Sequence, residues 1–274
     1  MPEGPEIRRA ADEVAAVLEG QVVETVRFGL PRLKRSEAPL RGHRVRAVET
    51  RGKAMLVHFE HGLCLYSHNQ LYGVWRVIEG HELPQSKRSL RVLLQTVTHS
   101  ALLYSASDIS VWPVEELVNH PFLARIGPDI MSAGLTWQAI AERLQSPRFA
   151  RRNLGSLYLD QQFVAGIGNY LRSEILHAAQ LHPLQRAAEL GAGERGRLAR
   201  ATLTISLRSY RTEGVTLGAA LARSLARQSL PWEQRRFAVF GRAELPCYRC
   251  GAPVVRREIN TRRLYLCLQC QPAP

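Results

Sequence analysis

The sequence predicts an α+β, two-domain fold: an N-terminal antiparallel β-sandwich flanked by helices, then a helical domain, with a C-terminal four-cysteine β-hairpin zinc finger at its end. Three observations carry that prediction. From Val22 to about Ser105 the runs VVETVRF, VRAVET, AMLVHF, LCLYS, GVWRVI, LRVLLQT and ALLYS are separated by turn residues every ten or so positions, the spacing of a sandwich or barrel. Beyond them, apolar residues recur at helical spacing in several segments. The chain closes on Cys247, Cys250, Cys267 and Cys270 in the pattern C-x2-C-x16-C-x2-C. The domain boundaries read from these shifts are residues 1–120 for the sandwich, 121–133 for a linker, 134–230 for the helical domain and 231–274 for the finger. Pro121, Gly127 and Pro128 mark the linker.

In chain order, the spacing of Ile7, Ala10, Ala11, Val14, Val17 and Leu18 predicts a helix over Pro5 to Leu18, with proline in its first turn and Gly20 at its stop. Pro2 and Glu3 then stand just ahead of the positive helix end, where a carboxylate or a phosphate is favoured. If Met1 is removed, Pro2 becomes a secondary amine with a pKa near ~8, nucleophilic at physiological pH and able to form an imine at a sugar carbon. With Met1 in place that nitrogen is an amide and cannot attack.

Two turns of the β-rich half carry residues that a turn does not need. Arg51-Gly52-Lys53 presents a lysine. In the stretch His68 to Gly73, Gln70, Leu71 and Tyr72 combine an amide, an apolar and an aromatic side chain, a set able to enter a duplex and fill the space left by a displaced base. Cys64 lies in an alternating strand and reads as a small core residue.

The helical half reads as Thr136 to Gln145, Asn153 to Gln161, a helix opened by the turn Gly166-Ile167-Gly168 and running from Asn169 to about Ala179, then Glu194 to Thr212 and Thr216 to Arg227. Asn169 at a helix start, beside free backbone N–H groups, suits a phosphate. The four cysteines fit a closed tetrahedral zinc site of the structural type, which leaves no coordination position for catalysis. Between the two pairs, Val254 to Arg257 and Arg263 to Leu266 alternate as hairpin strands around Asn260-Thr261-Arg262, so the metal folds a hairpin that holds out Arg262.

Composition narrows the partner. The 274 residues contain 37 Lys plus Arg against 24 Asp plus Glu, a net charge of +13, which attracts a polyanion and makes nucleic acid the expected partner. No run of 18 or more apolar residues occurs, and PEGPEIRR carries charges where a signal peptide has its apolar centre. A soluble, cytoplasmic protein with no membrane partner is expected.

Taken together, MPEGPEIRRAADEV at the start, ETRGKAML around Lys53, LYSHNQLYGVWRV around Gln70, HPFLARIGPD around Arg125, DQQFVAGIGNYLRSEIL around Asn169, and PCYRCGAP, TRRLYLC and CLQC in the finger resemble the Fpg/Nei (helix–two-turn–helix) family of bacterial DNA glycosylase/AP lyases. The resemblance covers essentially the whole chain and is closest to the endonuclease VIII branch. It implies that Pro2 forms a Schiff base with the damaged nucleotide, that Glu3 moves protons during ring opening, and that Lys53 and Arg262 assist the first and second strand-cleaving eliminations. It further implies DNA contacts at Gln70, Leu71, Tyr72, Arg125 and Asn169, one structural zinc ion, a helix–two-turn–helix domain in the helical half, and action as a monomer on double-stranded DNA containing oxidised bases or abasic sites, associated with the nucleoid while scanning. The branch implies oxidised pyrimidines such as thymine glycol as the main substrates. An enzyme of the formamidopyrimidine/8-oxoguanine branch and a zinc-finger DNA-binding protein without chemistry are the competing readings.

Overall fold

A computed structural model of the chain describes residues 2–274. It divides into two compact units, one ending at Arg125 and the other beginning at Ile126.

The first unit opens with α1 (Gly4–Leu18), whose buried Ile7, Ala11, Val14 and Leu18 form the predicted stripe. Gly20 follows at φ 73°, a left-handed conformation that lets the chain leave the helix. Eight strands follow: β1 (Thr25–Phe28), β2 (Val45–Arg51), β3 (Ala54–Phe59), β4 (Leu63–His68), β5 (Val74–Glu79), β6 (Leu90–Gln95), β7 (His99–Tyr104) and β8 (Asp108–Pro113). They form two antiparallel four-stranded sheets, in the orders β1-β6-β7-β5 and β2-β3-β4-β8. One core lies between the sheets: Phe28, Val92, Leu94 and Leu103 meet Met55, Val57, Phe59 and Leu65, and the buried face of α1 joins them. At ~1.5–3 kcal/mol for each large apolar side chain buried, this cluster is the main stabilising term of the unit.

Every residue of β3 is buried. Its second face, with Ala54 and Leu56 beside Cys64 and Tyr66 of β4, is covered by Trp112, Val114, Leu117, Phe122 and Leu123. That cover explains two elements the sequence reading lacked, β8 and the 3-10 turn Val114–Asn119. In β8 both alternating positions are partly covered, so no apolar–polar period shows, and its terminal Pro113 is tolerated because the strand is at the sheet edge. A 3-10 turn at Pro31–Ser36 and the short α2 (Glu37–Leu40) were likewise not foreseen. Cys64 is a core residue as expected, and burial pushes its thiol up to about 12.

The second unit contains α3 (Trp137–Gln145), α4 (Leu154–Leu157), α5 (Asn169–Ala179), α6 (Ala192–Arg211), α7 (Ala219–Ala226), α8 (Trp232–Arg236) and the hairpin β9 (Val254–Ile259) with β10 (Arg262–Cys267). Thr136 caps α3 by accepting the Ala139 N–H at 3.2 Å. The helix expected over Asn153 to Gln161 is only one turn long. Asp160 takes the Gln162 N–H on its side chain at 2.8 Å, and Gln161 donates to the carbonyls of Leu159 and Ile167, so local side-chain bonds replace helical ones. The helix expected from Thr216 begins at Ala219, because the Thr216 hydroxyl is engaged elsewhere, by Glu174 and by the Arg236 carbonyl. The core of this unit joins Ile140, Leu144, Leu157, Phe163, Leu171, Ile175 and Leu198 to Leu264 and Leu266 of β10, so the finger hairpin shares the helical core.

Four histidines of the first unit are held below their ordinary pKa mainly by burial: His58, His61, His68 and His120. Among the described residues neither ring nitrogen of His58 has a hydrogen-bond partner, and Glu49, 3.7 Å away and about half exposed, offsets the burial only in part. Groups that resist protonation when folded bind protons more readily when unfolded. Their stabilising contribution is therefore complete above the unfolded pKa of about 6.5 and is lost as pH falls below it. The thermal midpoint is expected to drop between pH 7.5 and 5.5, and His58→Leu should make that drop smaller; an unchanged pH dependence in the variant would refute the assignment to His58.

Candidate active site and metal centre

In the first unit, Glu3 occupies the N-cap of α1 with φ −111° and ψ −176°, and its N–H donates to the Glu6 carboxylate at 3.0 Å. Glu6 thereby closes the first turn in the manner of a capping box. Glu3 is 3% exposed and Pro2 is half-buried, so a carboxyl group and the residue before it are set into the protein surface at the positive end of a helix. Met1 lies outside the described residues.

Lys53 sits on the β2–β3 turn, where Gly52 takes φ 64°, and is half-buried. The next residue, Ala54, is in register with His68 at the end of β4. The Lys53 charge is felt there: after burial, it helps to lower the His68 pKa, against the opposing pull of Asp108. The loop Gln70–Gly73 leaves β4 from that same end. The His68 Nδ1 accepts the Gln70 N–H at 3.0 Å, which ties the loop to the strand carrying it. Leu71 and Tyr72 are 52% and 69% exposed, far more than their apolar area would favour in an ordinary turn. Arg125 is exposed and folds back so that its Nε donates to the Pro121 carbonyl at 2.7 Å.

In the second unit, Gly166 at φ 102° and the extended Gly168 turn the chain into α5, and Asn169 is its first residue. Three residues on, Arg172 is completely buried. Its Nη1 donates to the Gly155 carbonyl at 2.8 Å, and its Nη2 to Arg263 O at 2.9 Å, Asn169 Oδ1 at 3.4 Å and Arg262 O at 3.5 Å. One guanidinium thus connects Asn169 to the backbone that carries Arg262, bringing together two positions 93 residues apart in the sequence. Ser173 adds a second link, accepting the Tyr265 N–H at 3.3 Å. At the hairpin tip, Asn260 Nδ2 donates to Ser156 Oγ at 2.9 Å. Gly155 permits the approach: a Cβ there would lie 2.7 Å from Ile259 Cδ1 and 3.1 Å from Pro183 Cβ.

The finger is anchored a fourth time by Glu174. This carboxylate, 2% exposed, accepts the N–H groups of Ala238, Val239 and Phe240 at 2.8, 2.8 and 2.9 Å and the Thr216 hydroxyl at 2.5 Å. Sequence reading missed Arg172, Ser173 and Glu174 because the helical period gives no sign that a charged face is buried. The run Arg172-Ser173-Glu174 inside an otherwise apolar helix was the only signal.

The four cysteine sulfurs lie within 4.8 Å of one another, with Cys250–Cys267 at 3.4 Å and Cys247–Cys270 at 4.0 Å, and none is in a disulfide. A tetrahedral zinc with Zn–S near ~2.3 Å requires sulfurs about 3.8 Å apart, so the donor set and its spacing fit one structural zinc ion. Cys247 and Cys250 approach from the knuckle before β9, Cys267 and Cys270 from the end of β10.

A basic chain with an antiparallel sandwich, a helical unit, a zinc-finger hairpin and a proline–glutamate start defines the architecture of a DNA glycosylase. Residues 1–107 match the formamidopyrimidine-DNA glycosylase N-terminal domain and residues 126–219 the formamidopyrimidine-DNA glycosylase H2TH domain. The chain is 47% identical over 271 residues to endonuclease 8 of Escherichia coli, 99% of this chain and 100% of the relative, and 46% identical with the same coverage to endonuclease 8 of Salmonella arizonae. The chain belongs to the formamidopyrimidine-DNA glycosylase family, and its full-length similarity lies with endonuclease 8. Among solved structures, Lactococcus lactis Fpg (MutM) in complex with DNA containing N7-benzyl-Fapy-dG has the same fold, with a TM-score of 0.82 at 21% identity over 99% of this chain and 100% of that one. The same Fpg bound to DNA containing an abasic site gives 0.81 at 21% identity, with the same coverage.

Two outcomes test the finger's anchoring. Arg172→Met should lower stability by roughly 2 kcal/mol or more, because the buried carbonyl of Gly155 and the partly buried one of Arg263 lose their donor; a denaturant midpoint equal to wild type would exclude it. Cys267→Ser should lose bound zinc and weaken DNA binding. A variant without zinc that binds abasic DNA as tightly as before would show that the metal does not position the hairpin.

Proposed function

We propose that this chain is a base excision repair enzyme, a bifunctional DNA N-glycosylase and AP lyase that removes oxidised bases, chiefly oxidised pyrimidines such as thymine glycol. The observation that carries the proposal is the start of the chain: a proline at position 2, beside a glutamate buried at the positive end of α1, in a protein similar over its whole length to endonuclease 8. After loss of Met1, the Pro2 nitrogen attacks C1′ of the damaged nucleotide as the glycosidic C–N bond breaks, and the departing base takes up a proton from solvent. Glu3 protonates the ring oxygen as the sugar opens and the nitrogen loses its proton, giving an iminium. The iminium draws electrons from C1′ and acidifies C2′. Removal of a C2′ proton expels the 3′ phosphate with help from Lys53, and a second elimination, assisted by Arg262, expels the 5′ phosphate. A one-nucleotide gap with phosphates at both ends remains.

The DNA is held by Gln70, Leu71, Tyr72 and Arg125 in the first unit and by Asn169 and Arg262 in the second. Extrusion of a base costs a few kcal/mol and is easiest for a damaged pair. Phosphate contacts by a +13 protein offset that cost, with a steep dependence on salt. The zinc supplies no chemistry here; it fixes the hairpin. The working division is a sandwich over 1–120, a linker over 121–133, a helix–two-turn–helix domain over 134–230 and the finger over 231–274, acting as a monomer in the bacterial cytoplasm, at the nucleoid while scanning. Among the described residues no helix is long and apolar enough to cross a membrane.

Borohydride added during reaction with an abasic-site duplex should trap a covalent adduct, seen by intact mass as protein lacking Met1 plus DNA, and Pro2→Gly should abolish efficient trapping. Correctly processed protein that gives no adduct would overturn the mechanism. Parallel nicking of thymine glycol and 8-oxoguanine duplexes should favour thymine glycol; the reverse preference would move the chain to the formamidopyrimidine type of activity.

A further inference from the structure

The loop that displays Leu71 and Tyr72 is held by residues far from it in sequence. Gln70 lies at φ 51°, a left-handed conformation that side-chain-bearing residues rarely adopt, so something must maintain it. Part of the restraint is local. The Gly73 N–H donates to Asn69 O at 2.7 Å, and a Cβ on Gly73 would stand 2.5 Å from that same oxygen.

The remainder comes from two other segments of the same unit. Arg88 Nη1 donates to the Tyr72 carbonyl at 2.7 Å. Ser107 donates twice to Gln70 Oε1, from its hydroxyl at 2.7 Å and from its N–H at 3.4 Å. A backbone N–H can only donate, so the atom facing Ser107 is the amide oxygen and the NH2 group of Gln70 points away from it. Ser107 is itself fixed, since its carbonyl accepts from Arg32 Nη2 at 2.7 Å while Arg32 Nη1 holds Ile109 O at 2.7 Å. The two supporting segments are joined by the Ser105 N–H to Ser89 O bond at 2.9 Å.

We propose that Arg88 and Ser107 are positioning residues for the wedge: Arg88 fixes the backbone that carries Tyr72, and Ser107 sets the Gln70 amide so that it presents a donor to the DNA. This rests on the reading of Gln70, Leu71 and Tyr72 as the loop that fills the vacated stack. A loop with two exposed apolar side chains that ordered only on binding would lose affinity to the entropy of ordering. Held in advance, it meets that loss during folding.

The test uses the processed full-length protein and compares single-turnover cleavage of an abasic site in duplex DNA and in a single strand, which has no stack to fill. Ser107→Ala and Arg88→Ala should each lower the duplex-to-single-strand rate ratio about fivefold, the effect of one lost hydrogen bond. They should also reduce the fluorescence change of 2-aminopurine placed opposite the abasic site. Ser107→Thr, which keeps the hydroxyl, should restore most of both signals, and Leu71→Ala serves as the marker of the wedge. If Leu71→Ala lowers the ratio while Ser107→Ala and Arg88→Ala do not, the positioning role is overturned and the wedge stands. If none of the three changes the ratio, both fall. Duplex and single-strand rates that decline together would also overturn the proposal, because a general loss of structure would then be the cause.

Discussion

The second unit depends on a buried polar face of α5. Arg172, Ser173 and Glu174 are each essentially out of solvent, and each hydrogen-bonds the backbone of other segments: the guanidinium that of α4 and β10, the hydroxyl that of β10, the carboxylate that of residues 238–240. Charged groups so placed are worth having only when satisfied, since one left unpaired in a low-dielectric interior costs several kcal/mol. Most of their bonds go to backbone, the Thr216 hydroxyl and the Asn169 side chain being the exceptions, so α5 fixes mainly the path of the chain.

The first unit solves a similar problem with strand register. Antiparallel pairing of β3 with β2 and β4 decides that Lys53 falls on a turn and that His68 ends the neighbouring strand, so the lysine and the exposed loop share one end of a rigid sheet. A slip of one residue would turn Met55, Val57 and Phe59 out of the core, which makes the register costly to change. The proline–glutamate start gains its fixity from α1 in the same way, through a helix whose apolar stripe belongs to the core between the sheets.

Much of this was legible in the sequence where one physical period dominated. The seven strand runs, α1, α3, α5 and the hairpin all emerged close to their observed bounds, and the cysteine spacing correctly pointed to a tetrahedral thiolate site. What escaped was decided by contacts that no local pattern encodes. β8 and the turn after it are defined by the second face of β3, α4 stops where Asp160 and Gln161 bond their own backbone, and α7 starts late because Glu174 and Arg236 claim Thr216. The individual side chains of the site could be named from motifs, whereas the residues that hold them, such as Arg172 and Ser107, became visible only through their partners.

The tip of the finger hairpin is strained. Asn260 and Thr261 both adopt left-handed backbone, φ 51° and 60°, and a β-branched residue there is strained. An Asn-Gly pair would form this two-residue turn with less conformational penalty. Retaining threonine stiffens the bend directly before Arg262, and the Asn260 bond to Ser156 clamps it on the other side. The backbone strain of the tip and its tie to Ser156 thus fall on the two residues directly before Arg262, at the start of β10.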